Sequence, residues 1–172
     1  MSFGSNQVEK SQECTHFFFL NPLGSHAMNR VLGVDLGSVR IGLAISDDLG
    51  WMAHPWQTLS RSPSSASEIA RLVAEKNVST IIVGLPRNMN GTYGSASEAC
   101  RAFARELEQT TNAKVVLWDE RLTTAAAARS LHEAGRSSKQ QRSIIDQVAA
   151  QQILQDWMDA QKNHGLEMMG DE

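Results

Sequence analysis

Hydrophobic and polar residues alternate along residues 31–46, in two apolar runs separated by the turn sequence Gly-Ser-Val-Arg. This pattern predicts the two strands of a β-hairpin. In the first strand, alternation places Leu32, Val34 and Leu36 on one face, whereas Asp35 lies on the other face between glycines. A carboxylate there is costly to bury unless it is paired or holds a cation, and glycines let a ligand approach the backbone. An ordinary salt bridge is the alternative.

The remaining apolar segments predict three further strands and four helices. Strands are predicted at residues 56–59, after a turn at 51–55, and at residues 80–83 and 114–118. Capping-box sequences starting at Ser65 and Ser95 predict two helices, a third follows Thr123 to about residue 134, and the last spans about residues 143–161. Residues 136–142 are expected to form a basic, mobile connection.

This order of elements predicts an α/β fold. An antiparallel start followed by βαβ units gives a mixed five-stranded sheet with helices on both faces. Residues 28–162 are expected to form the folded domain. Residues 1–27 are expected to be a flexible N-terminal extension or tag, and residues 163–172 a flexible acidic tail.

Charge and cysteine content narrow the possible settings. The chain of 172 residues has a formal net charge of −3, but the acidic excess lies in the two tails, and the body is nearly neutral. A small basic cluster, ending at Arg142, permits phosphate contacts. Cys14 and Cys100 are the two cysteines, which favours a reducing cytoplasm and argues against a disulfide framework. No run approaches the roughly 18 apolar residues of a membrane span.

Three carboxylates stand where the predicted order of elements can bring them together: Asp35 on the first strand, Glu120 after the last strand and Asp146 in the final helix. Clustered carboxylates repel one another unless hard cations neutralise them, and Mg²⁺ or Mn²⁺ prefers oxygen ligands. Two such ions about 4 Å apart can support phosphodiester cleavage. No histidine or cysteine accompanies these acids at metal-ligand spacing, which argues against zinc.

Four sequence blocks resemble the signatures of the YqgF/RuvX family, in the family's order. They cover residues 33–42, 83–91, 119–124 and 146–154. The resemblance implies a ribonuclease-H-like fold similar to that of RuvC-type Holliday-junction resolvases, and a nuclease that matures the 5′ end of the 16S ribosomal RNA precursor. It assigns metal-binding catalytic roles to Asp35, Glu120 and Asp146. The expected cofactor is two Mg²⁺ or Mn²⁺ ions.

The same blocks supply candidate substrate contacts. These are Arg40, Arg87, Asn88, Arg121, Thr123 and Arg142. Arg121 could instead orient a carboxylate, Thr123 could cap a helix, and Arg87 could be a surface arginine without a partner. The chain departs from the family pattern at Val39, a position that is usually basic, and at Arg87 and Asn90.

Several functions remain open from the sequence alone. A nuclease acting on a ribosomal RNA precursor, with possible association with the ribosomal particle, is the leading hypothesis, and the protein is expected to be a monomer or a weak homodimer. Cleavage of a four-way DNA junction is the alternative within the same chemistry, and a non-catalytic RNA-binding module is an alternative of another class. The Gly-Val-Asp-Leu-Gly-Ser sequence also resembles a phosphate loop of the sugar-kinase and actin superfamily, but those proteins need two such domains.

Overall fold

The computed structural model describes residues 30–87, 92–119 and 139–167. Within these residues the chain forms five strands and three helices. They are β1 (Arg30–Leu36), β2 (Arg40–Ser46), β3 (Ala53–Ser60), α1 (Ser65–Lys76), β4 (Val78–Leu85), α2 (Ser95–Thr110), β5 (Lys114–Asp119) and α3 (Lys139–Glu167). The predicted N-terminal extension and the helix predicted at residues 123–134 lie outside the described residues.

The strands form one sheet in the order β3-β2-β1-β4-β5. β2 runs antiparallel to both β1 and β3, and β4 runs parallel to β1 and β5. This arrangement confirms the predicted mixed sheet, in which a hairpin is followed by βαβ units, and the fold is ribonuclease-H-like. No helix in the described part of the chain combines the length and apolar character needed to cross a membrane.

Helices cover both faces of this sheet. On one face, α1 and α2 pack over Leu32 and Val34 of β1, as the alternation predicts. On the other face, α3 packs through Ala150 and Ile153 against Ile82. The side chains of the strands alternate between these two cores because successive residues of a strand point to opposite faces.

Strand β3 and helix α3 are both longer than the sequence pattern predicts. The predicted turn at residues 51–55 is wrong in its second half, because β3 begins at Ala53 and includes Pro55. β3 lies at the edge of the sheet, where a proline costs no inner hydrogen bond, and the register shifts beside Pro55, which faces Ala44. Helix α3 begins at Lys139, inside the expected mobile connection, and continues to Glu167, beyond the expected end near residue 161.

Neither predicted capping box forms. The residues that cap α1 and α2 are Ser64 and Gly94, and neither cap has a side-chain hydrogen bond. The Ser65 hydroxyl instead accepts a hydrogen bond from the Ser62 backbone N–H at 2.8 Å. Ser97, which is buried, donates its hydroxyl hydrogen bond to the carbonyl oxygen of Pro86. Both hydroxyls therefore fasten the loop that precedes a helix rather than the helix end itself.

Candidate active site

One edge of the sheet collects most of the candidate residues that the structure describes. β1, β4 and β5 are parallel, so their carboxyl ends meet there, and the antiparallel β2 begins at the same edge. Asp35 lies near the end of β1, Arg40 is the first residue of β2, Arg87 follows β4, and Asp119 is the last residue of β5. The chain therefore brings acidic and basic side chains together at this edge.

Helix α3 lies unusually close to the sheet because two glycines lack side chains. A Cβ atom on Gly33 would come within 2.7 Å of the carbonyl oxygen of Ala150, and one on Gly42 would overlap the backbone carbonyl of Asp146. The space beside Asp35 was expected to admit a ligand, but at Gly33 it is filled by the helix. The small Ala149 and Ala150, both buried, assist this approach.

This close packing places Asp146 beside Asp35. In the β1–β2 pairing, Asp35 faces Gly42, and the backbone of Asp146 lies directly over Gly42. Asp35 is only 5% exposed. Two of the three predicted carboxylates therefore occupy the same corner of the molecule, although one comes from a strand and the other from a helix more than a hundred residues later.

A further contact anchors the beginning of α3 to the same row of the sheet. Thr58 of β3 pairs with Gly42 of β2, and its hydroxyl donates a hydrogen bond of 2.8 Å to the carbonyl oxygen of Ser143. The first turns of α3 therefore pack on the row of the sheet formed by Asp35, Gly42 and Thr58. Thr58 could not be recognised from the sequence, because nothing local distinguishes a strand threonine whose partner lies 85 residues away.

Arg40 forms an ion pair with Asp146. Its Nε donates to Asp146 Oδ2 at 2.6 Å, and both side chains are largely shielded, at 29% and 22% exposure. Arg40 was predicted to contact substrate phosphate, and the structure gives it a carboxylate partner instead. A charge-assisted hydrogen bond of this length fixes the orientation of the carboxylate, so Arg40 holds the Asp146 side chain in place.

Arg87 has defined partners in the structure, so its interpretation as a surface arginine without a partner is wrong. Its side chain is 20% exposed and donates from an Nη atom to Asp119 Oδ2 at 3.2 Å. Its guanidinium carbon also lies 4.7 Å from the centre of the Tyr93 ring. The Nε atom of Arg87 is buried and has no hydrogen-bond partner among the residues that the structure describes. The departure from the family pattern at this position thus adds a fixed positive charge at the carboxyl edge.

The other predicted residues are only partly covered by the structure. Arg142 is exposed and lies one helical turn before Asp146 on α3, so both can share a face. Four predicted residues lie outside the described part of the chain: Asn88, Glu120, Arg121 and Thr123. Within residues 30–87, 92–119 and 139–167, no group of three His, Cys, Asp or Glu side chains is arranged to hold a metal ion. Glu120, the predicted third ligand, directly follows Asp119.

Two tryptophans pack against the core and a third is exposed. Trp118 and Trp157 are partly buried and pack against the core beneath α3. Trp51 is 61% exposed. It lies just before β3, at the end of the sheet opposite to the carboxyl ends of β1, β4 and β5. The Lys162 ammonium lies 5.2 Å from its ring centre.

A mixed sheet in this strand order, with Asp35 near the end of β1 and Asp146 on the helix packed beside it, defines a ribonuclease-H-like α/β domain. A family model described as "RuvX: Holliday junction resolvase" matches residues 29–160. The chain belongs to this RuvX family, as the sequence blocks predicted.

Individual relatives agree with this assignment. A protein of Halalkalibacterium halodurans named "Putative pre-16S rRNA nuclease" is 45% identical over 137 residues, covering 77% of this chain and 98% of that protein. A protein of the same name from Mycobacteroides abscessus is 49% identical over 142 residues, covering 80% of this chain and 86% of that protein. Solved structures similar to this chain include T. thermophilus RuvC with a Holliday junction substrate, at 12% identity and a TM-score of 0.44, covering 73% of this chain and 91% of that one.

Proposed function

We propose that this protein is a metal-dependent nuclease that hydrolyses phosphodiester bonds. The observation that carries the proposal is the convergence of Asp35 and Asp146 over Gly42, at the carboxyl edge of the sheet. Asp35, Glu120 and Asp146 are the proposed catalytic residues and the ligands of two Mg²⁺ or Mn²⁺ ions. Residues 28–162 form the nuclease domain in this proposal.

The described residues suit a hard divalent cation. Two carboxylates that lie close together need a positive charge between or beside them, and Arg40 already supplies one to Asp146 at 2.6 Å. Carboxylate oxygens are the preferred ligands of Mg²⁺ and Mn²⁺. When bound, such an ion supplies Lewis-acid chemistry that activates water and stabilises a leaving oxygen.

The chain's own residues would then position the substrate and the ligands. Asp35 is held in a buried strand and so presents its carboxylate with little conformational freedom. Arg40 orients Asp146. Arg142, exposed one turn before Asp146, is the proposed contact for a phosphate of the bound strand, and Arg87 adds positive charge to the same edge. Asn88, Arg121 and Thr123 are kept as proposed substrate contacts.

The proposed substrate is the precursor of 16S ribosomal RNA, cut at its 5′ end. The support is that relatives sharing 45–49% of their residues with this chain carry the name of a pre-16S rRNA nuclease. We infer that the protein works in the cytoplasm, on or near the ribosomal particle, as a monomer or weak homodimer. A four-way DNA junction is the second candidate substrate, because the matching family model is described as a Holliday junction resolvase.

The experiment compares cleavage of an RNA spanning the 5′ end of the 16S precursor with cleavage of a four-way DNA junction, each with Mg²⁺, Mn²⁺ or a chelator. Asp146→Asn should abolish cleavage. Asp159→Asn, on the same helix but hydrogen-bonded to Lys162, is the matched control and should cleave as the wild type does. RNA cleavage that requires the metal and Asp146 supports the proposal, and junction cleavage alone transfers it to the second substrate. Metal-independent cleavage, or no cleavage with unchanged RNA binding by Asp146→Asn, would refute it in favour of a binding module.

A further inference from the structure

A groove runs along α2 where this helix packs against the last strand of the sheet. Its cavity volume is about 160 Å³. Arg101, Arg105 and Glu108 line it from the helix, and Val115 and Leu117 line it from β5. The two arginines are four residues apart, so they lie one above the other on the same face of α2.

Arg101 and Arg105 have no ion-pair partner among the residues that the structure describes, so this groove carries excess positive charge there. Like charges one helical turn apart repel each other, and an anion lying across both would remove that repulsion. Among the described residues of the lining, Glu108 is the one acidic side chain, and it lies at the end of the groove farther from the start of α2.

An aromatic residue connects the groove to the proposed active site. The ring centre of Tyr93 lies 4.9 Å from the guanidinium carbon of Arg101 and 4.7 Å from that of Arg87. Arg87 in turn bonds Asp119, at the end of β5 and next to Glu120 in the sequence. Positive charge therefore continues from the carboxyl edge through Tyr93 into the groove, since cation–π contacts hold both guanidiniums in place.

The direction of α2 determines which of the two arginines lies nearer the proposed active site. α2 begins beside the carboxyl edge, where Ser97 bonds the Pro86 carbonyl just beyond β4, and it runs back along β4 and β5. Arg101 is therefore nearer the proposed active site than Arg105. A groove of about 160 Å³, walled by one helix and one strand, suits a single sugar–phosphate backbone rather than a duplex.

We propose that the α2–β5 groove binds the phosphate backbone of a single-stranded segment of the nucleic-acid substrate, and that Tyr93 positions Arg87 and Arg101 for it. This inference rests on the proposed nuclease function and adds the path that the nucleic-acid strand takes across the protein. Recognition is by backbone charge, so it is independent of base sequence and weakens as salt concentration rises.

The test measures binding of a fluorescent oligouridylate of about 12 nucleotides, a length within the range of single-strand sites, to the full chain in a chelator. Arg101→Gln/Arg105→Gln should lower the slope of log K against log salt by about 1.4, since each lost single-strand phosphate contact removes about 0.7. The same loss weakens binding roughly 10- to 30-fold at 0.1 M salt. Arg71→Gln, an exposed arginine on α1 paired with Glu75, is the matched control and should bind as the wild type does.

A second pair of variants tests the role of Tyr93. Tyr93→Phe keeps the ring and should bind the oligouridylate normally, whereas Tyr93→Leu removes the cation–π contacts and should bind less tightly. Equal binding by the double arginine variant and the wild type would overturn the proposal. So would an equal weakening on duplex RNA of the same length, or a wild-type protein that does not bind the single strand.

Failure of this proposal can be distinguished from failure of the nuclease proposal. Binding in a chelator needs no cleavage. If the wild type binds through Arg101 and Arg105 but cleaves nothing with metal, the groove proposal holds and the nuclease proposal fails. If metal-dependent cleavage occurs and Arg101→Gln/Arg105→Gln binds and cleaves normally, the groove proposal alone fails.

Discussion

Replacing Gly42 by alanine should damage the proposed active site without touching a charged residue. Gly42 is not among the residues with positive φ, so an alanine fits the backbone, and the effect comes from space alone. The added Cβ would overlap the carbonyl oxygen of Asp146 and lie 3.2 Å from its Cα. Because Cβ contacts below 3.0 Å essentially do not occur, α3 must retreat by about 1 Å or more.

The size of that movement sets the expected losses. Overpacking of this kind costs about 1–3 kcal/mol, and we expect the upper end because the obstacle is backbone and cannot change rotamer. The Arg40–Asp146 bond of 2.6 Å would lengthen beyond hydrogen-bonding distance. A misplacement of about 1 Å in a catalytic group can cost on the order of 100-fold in rate.

Urea denaturation and metal-dependent RNA cleavage measure the two losses separately. Gly50→Ala is the control, because Gly50 has a φ of +67° but open space around its Cβ position. An alanine there strains the backbone by about 1 kcal/mol without moving α3, so stability should fall while cleavage is retained. If Gly42→Ala unfolds at the wild-type urea concentration and cleaves at the wild-type rate, the proposed dependence of the site on close helix packing is wrong.

Three further predictions use single contacts. Arg40→Gln should lower the melting temperature measured in a chelator. Added Mn²⁺ should raise the melting temperature of Arg40→Gln by more than it raises that of the wild type, because the ion replaces the lost positive charge beside Asp146. An equal rise in the two proteins would contradict this prediction. Thr58→Val removes the bond to Ser143 and should cost about 1 kcal/mol in urea denaturation. Burial, and to a smaller extent Asp159, raise the pKa of Asp156 above 3.8. The folded protein therefore binds this proton more tightly than the unfolded chain, and stability is lost as pH rises through the raised pKa. Asp156→Asn should melt higher than the wild type at neutral pH but not below pH 3.8.

The sequence predicts the sheet well because its signals are local. Alternation in residues 31–46 predicts both strands of the hairpin, and the apolar runs at residues 80–83 and 114–118 lie within β4 and β5. The errors are local too. Pro55 suggested a turn, but an edge strand tolerates it, and Ser65 matched a capping pattern although its hydroxyl bonds the preceding loop.

The candidate site is predicted less completely because its contacts join distant parts of the chain. Asp35 and Asp146 could be predicted as a pair from the order of elements and the family blocks. The partner of Arg40 lies 106 residues away, and no periodicity reports such a pairing. Gly33 looked like space for a ligand because a sequence pattern marks a missing side chain but does not say what fills the gap.

Two glutamines of α3 form hydrogen bonds with the outermost strand, β3. These hydrogen bonds have a consequence for solubility. Gln155 accepts a hydrogen bond from the backbone N–H of Ala53 at 2.8 Å, and Gln151 donates one to the Ala53 carbonyl at 2.8 Å. β3 is an edge strand, and unpaired groups on such a strand are templates for pairing with another chain. With these two groups occupied by α3 and with Pro55 unable to donate, the start of β3 is closed to edge-to-edge aggregation.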